Sequence, residues 1–125
     1  IYIMLKNILL ISVLFLLLDS IYLKLVSNKA SKMIYNIQKS KMELNVFAAI
    51  ICYIFIVVLF YHFIIIKKGS LFDAFLLGMC VYGIYDATNY ALIKNWSLTF
   101  STMDTLWGGV LFASVFYIYK RILKR

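Results

Sequence analysis

Charge is scarce in this chain. Only 14% of its 125 residues are charged, and only five are acidic. Soluble domains carry about 25% charged residues. A chain this short that is 65% apolar, with a mean hydropathy of +0.94, cannot hide its apolar surface in a core of its own. That excludes a soluble globular fold and implies a bilayer. Cysteine is nearly as scarce. Cys52 and Cys80 have no paired spacing, which argues against a disulfide framework or a zinc site, and both are expected as small packing residues. Histidine occurs once, at His62, so a histidine-based metal site is not expected. There is no nucleophile–base pair, no Gly-rich phosphate loop and no lysine placed to hold a retinal. No catalytic residue, metal or cofactor is therefore expected. The first apolar run is long, carries Asp19 and lacks a small-residue cleavage site, which argues against a cleavable signal peptide.

What the chain does have is four apolar windows, at about 4–26, 44–66, 71–93 and 100–119. Each is long enough to cross a ~30 Å hydrocarbon core as a helix. A helix satisfies its own backbone groups, which lipid cannot do. The links at 67–70 and 94–99 are short and force antiparallel neighbours. The expected fold is all-α: one transmembrane domain over 1–125, an up-down-up-down four-helix bundle with both termini on one side.

The longer link, 27–43, has Ala30, Met33, Ile34 and Ile37 at helical spacing, with Lys29, Lys32, Asn36 and Lys39 on the other face. This predicts a short amphipathic helix lying on the membrane surface, or one that binds a partner. The net charge is +8 and no soluble domain carries it, so anionic headgroups are the expected partner and nucleic acid is not. Lys120, Arg121, Lys124 and Arg125 group on one face of the last helix and are expected to anchor in headgroups as well. Seven basic residues fall on the terminal side and six on the other, which favours cytoplasmic termini by that margin. Asn95-Trp96-Ser97 matches a glycosylation acceptor, but its place between two helix ends favours a plain turn.

The scarce acids are the most informative residues. Asp19, Asp86 and Asp104 lie within or at the rim of apolar spans. Such residues face a protein interior or a water-filled cavity and often mark a site. Helix direction aligns them. Asp19 and Tyr22 lie late in the first span, Asp86 and Asn89 late in the third, and Asp104 and Trp107 early in the oppositely directed fourth. All therefore reach a similar depth, near the 94–99 turn. Tyr82, Asp86 and Asn89 share one stripe at i, i+4, i+7. Tyr82, Tyr85, Asn89, Tyr22 and Trp107 are candidate donors to the acids. Gly109 and Ala113 form a small-xxx-small pair that would let helices approach, and Gly78 and Gly83 thin the third helix. His62 exits at the opposite end. The cluster could be a hydrogen-bonded clasp, a ligand pocket, or an ion or proton path; an all-oxygen Mg²⁺ or Ca²⁺ site is weakly supported.

Three stretches carry a family resemblance: Leu18-Asp19-Ser20-Ile21-Tyr22-Leu23, Tyr85-Asp86-Ala87-Thr88-Asn89, and Met103-Asp104-Thr105-Leu106-Trp107-Gly108. Together they resemble the signatures of the membrane family known as domain of unknown function 2177, across nearly the whole chain. The resemblance implies a four-span integral membrane protein and no established activity, so no catalytic role is carried over. Tyr22 and Ser97 stand where members of the family often have Trp and Pro. Heavy use of Ile, Lys, Asn and Tyr points to an AT-rich genome, viral or organellar. Two function classes follow. One is a protein that handles a polar or lipid ligand at the acid cluster. The other is a structural membrane subunit of a larger assembly, with the cluster as a clasp.

Overall fold

A computed structural model describes residues 1–123. Lys124 and Arg125 of the basic tail lie outside the described residues. Four helices carry the chain: α1 (Tyr2–Gln38), α2 (Val46–Phe60), α3 (Leu71–Leu92) and α4 (Leu98–Leu123). A π-helical turn, Tyr61–Ile66, extends α2. All four are long and apolar enough to cross a membrane, α2 together with its π turn. Local chemistry sets the boundaries. The Asn45 side chain accepts from the Ala48 amide to open α2. Ser70 and Asp73 form a capping box that opens α3, with hydrogen bonds of 3.1 and 2.8 Å. Lys39, Lys68 and Asn95 take left-handed backbone in the three connections. Asn95 forms the plain turn expected between the last two spans.

The bundle's register shows that the helices alternate in direction. Phe15 of α1 meets Phe60 late in α2 and Phe112 just past the middle of α4, while Tyr22 meets Asp104 early in α4. Phe15, Phe60 and Phe112 are fully buried and pack edge-to-face, with centroids 5.0–6.0 Å apart. Ile11, Ile64, Ala74 and Val115 complete this apolar half of the core. Large outward side chains such as Leu17, Ile54, Phe55, Phe72 and Ile84 are exposed and are matched to lipid.

Two expectations need correction. The segment 27–38 is helical as expected, but it is not a separate surface helix: it is the continuation of α1. The chain has no proline, and α1 contains no glycine, so nothing interrupts it before the left-handed Lys39. At 37 residues it is about 55 Å long, well beyond a ~30 Å hydrocarbon core. Its apolar stripe is turned inward: Met33 is buried, and its sulfur accepts from the Ser97 amide at 3.4 Å. Lys29, Lys32 and Lys39 are exposed on this extension. Cys52 and Cys80 are not packing residues of the core; both are exposed.

Candidate functional site

The site begins with the closest approach of two helices. Gly78 of α3 and Gly108 of α4 face each other, and a methyl added to Gly78 would sit 2.1 Å from the Gly108 carbonyl oxygen. The sequence offered Gly109 and Ala113 as the approach; Gly109 instead receives the Phe75 ring. The contact between Gly78 and Gly108 presses α3 onto α4 along their length. Two turns further along α3, Asp86 meets Asp104 and Thr105 of α4.

Asp19 and Asp104 are both buried; Asp19 accepts on both oxygens and Asp104 on one. Asp19 Oδ2 accepts from the Tyr53 hydroxyl of α2, and Oδ1 accepts from Trp107 Nε1 at 2.9 Å. One carboxylate thus ties α1 to two other helices. Asp104 Oδ1 accepts from the Tyr22 hydroxyl at 2.9 Å, a second α1–α4 tie. The Tyr22 ring stacks on Trp107, with centroids 4.8 Å apart and planes 6° apart. Ring stacking and hydrogen bonds hold the same pair of helices and fix their register.

Asp86 differs. It is 1% exposed, and among the described residues neither carboxylate oxygen has a hydrogen-bond partner. It lies at the floor of a groove of about 390 Å³ between α3 and α4, beside Thr105 and Ser101. Ala87, Tyr90, Leu98, Thr102 and Leu106 line the groove and are exposed, so it opens sideways, towards lipid. Near the same end, Trp96 is buried and donates from Nε1 to Ser101 Oγ at 2.9 Å, fixing the turn against α4.

Of the sequence-selected residues, Asp19, Tyr22, Asp86, Asp104 and Trp107 come together. Tyr82 is half-buried, edge-on to Phe112, with its ring base against Gly108. Tyr85 turns away: it is 58% exposed and edge-on to Trp96. Asn89 is half-buried one turn beyond Asp86, with no hydrogen bond to an acid among the described residues. His62 is exposed in the π turn at the far end, edge-on to Phe63. Lys120 and Arg121 are exposed in the last turn of α4, over the rings of Phe116 and Tyr117. Among the described residues no three His, Cys, Asp or Glu side chains gather as a metal site. Sequence reasoning missed Tyr53. Its signal was present, since it is the only hydroxyl within Val46–Phe60.

A family model described as "Predicted membrane protein (DUF2177)" matches residues 4–118. No curated protein and no solved structure matches the chain.

Proposed function

We propose, from the premise that the chain belongs to the DUF2177 family of predicted membrane proteins, that it is a single transmembrane unit binding a bilayer-dissolved ligand in the α3–α4 groove. The ligand's polar head carries hydrogen-bond donors, and Asp86 accepts them. The observation that carries this reading is the pair of partnerless, buried oxygens on Asp86. A buried acceptor left unmet costs about 1–3 kcal/mol, and more if it is charged. Asp19, by contrast, has a donor on each oxygen, and Asp104 has one from Tyr22. Asp19 and Asp104, with Tyr53, Tyr22 and Trp107, act as the clasp that holds the groove's walls in register. Both termini lie on one side of the membrane, the cytoplasmic side by the seven-to-six count of basic residues. Lys29, Lys32, Lys39, Lys120 and Arg121 meet anionic headgroups or an acidic partner at the two faces.

The test is native mass spectrometry of the full chain released from mild detergent. The wild type should carry an amphiphile that Asp86→Ala loses while remaining helical and monodisperse. Identical adducts on both proteins, or none on either, would refute the reading.

The satisfied clasp favours a second reading, a structural subunit whose acids serve only helix register. Purification as part of a larger complex, with no amphiphile bound, would support it.

A further inference from the structure

We infer that the groove takes an amine-headed lipid, its primary ammonium held by Asp86 and its chain lying in the bilayer along Leu98 and Leu106. This rests on the ligand reading above and narrows it to one chemistry. Three observations lead there.

The first is charge. Asp86 and Asp104 are neighbours in a buried setting, and the only hydrogen-bond donor to Asp104 among the described residues is a neutral hydroxyl, from Tyr22. None of the thirteen Lys and Arg residues lies in the stretches that build the groove, 83–90 and 98–106. Lys94, in the turn that joins these stretches, and Lys24, on α1, are both exposed. Two adjacent carboxyls in a low-dielectric site are relieved either by a shared proton or by a positive charge, and no basic side chain of the groove supplies the latter.

The second is the balance of donors and acceptors. Asp86 offers two free oxygens. Thr105, Ser101 and Thr102 add hydroxyl oxygens; Ser101 already accepts from Trp96, and Thr102 donates its proton to the Leu98 carbonyl. The lining thus combines the two carboxylate oxygens of Asp86 with hydroxyls that can accept as well as donate. A primary ammonium brings three donors. A lipid hydroxyl brings one donor and no charge. A trimethylammonium head brings no N–H and needs an aromatic cage, whereas Tyr90 is the only aromatic on the lining.

The third is access. The groove opens sideways between two spanning helices, and Asp86 lies six residues before the end of α3, about 9 Å below it. A head at that depth is reached from within the leaflet, by a molecule with a tail.

The experiment is native mass spectrometry of the delipidated full chain, incubated separately with four lipids of matched chain length. These are phosphatidylethanolamine, a single-chain long-chain base, phosphatidylcholine and diacylglycerol. Retention of phosphatidylethanolamine or of the long-chain base is expected, and which of the two is retained identifies the source of the amine. Phosphatidylcholine and diacylglycerol should be retained about tenfold less, the effect of losing a charge-assisted hydrogen bond. Asp86→Asn should lose that preference, and Asp86→Glu should keep it. If diacylglycerol binds as well as the amines and Asp86→Asn abolishes it, the amine assignment fails and the groove reading stands. If no lipid is retained, or Asp86→Asn binds like wild type, both fail.

Discussion

Replacing Gly78 with alanine tests the packing on which the groove depends. The new methyl would lie 2.1 Å from the Gly108 carbonyl oxygen and 2.6 Å from Phe112 Cγ. An ordinary carbon–oxygen contact is about 3.4 Å, so α3 and α4 must part by about 1 Å at the crossing. Neither obstacle can swing aside. One is backbone, and the other is the base of a ring locked edge-to-face against Phe15 and Phe60. The loss should therefore be at or above the upper end for overpacking, about 3 kcal/mol. Gly108→Ala meets the same crossing from the other side, 2.5 Å from the Gly78 oxygen. Once the helices have parted for one methyl, the second is largely accommodated. The double variant should thus be less than additive, by about 1 kcal/mol or more. Gly83→Ala is the control. Its methyl would meet Thr105 Cγ2 at 3.3 Å, a side-chain methyl that can yield by a few tenths of an ångström. Here the helix-propensity gain of about 1 kcal/mol over glycine should offset the contact. Reversible unfolding by SDS in mixed micelles, followed by Trp96 and Trp107 fluorescence, measures all four proteins. A Gly78→Ala protein within about 0.5 kcal/mol of wild type, or a Gly83→Ala protein destabilised as much as Gly78→Ala, would refute the reasoning.

Three further outcomes follow from the same structure. Tyr53→Phe removes one of the two donors to Asp19 and should lower unfolding free energy by about 1–2 kcal/mol in the same SDS titration. Asp86→Asn should do the opposite in delipidated protein, raising stability by about 1 kcal/mol, because it relieves a buried carboxylate that has no partner; a less stable variant would contradict the hydrogen-bond pattern. Phe15→Ala empties the centre of the three-ring core and should cost about 3–5 kcal/mol, read as a lowered SDS midpoint with a matching loss of folded protein on size exclusion.

Much of the site was legible because helix direction was legible. Two short links fixed the alternation of spans, and alternation alone brought Asp19, Tyr22, Asp104 and Trp107 to one level. Tyr85 was misread because it adjoins Asp86 in sequence; successive helical residues point about 100° apart, so it faces away. Tyr53 was passed over because a tyrosine in an apolar helix needs a partner on another chain segment before it means anything. The glycine crossing was read only in part, since Gly78 was singled out but not its partner Gly108, for a related reason. Spacing within one helix marks small residues, but the register between helices decides which two meet, and that is a property of the packed pair. The 27–43 segment misled in another way. An apolar stripe opposed by lysines reads the same whether the stripe rests on headgroups or on a neighbouring turn, and here Met33 rests on Ser97.

The unbroken α1 is a rod held at two levels. Tyr53 and Trp107 grip it at Asp19, and the Ser97 amide holds it at Met33, 14 residues or about 21 Å further along. A rod held at both levels ties the acids to the turn between α3 and α4 with no loop between them to absorb a shift.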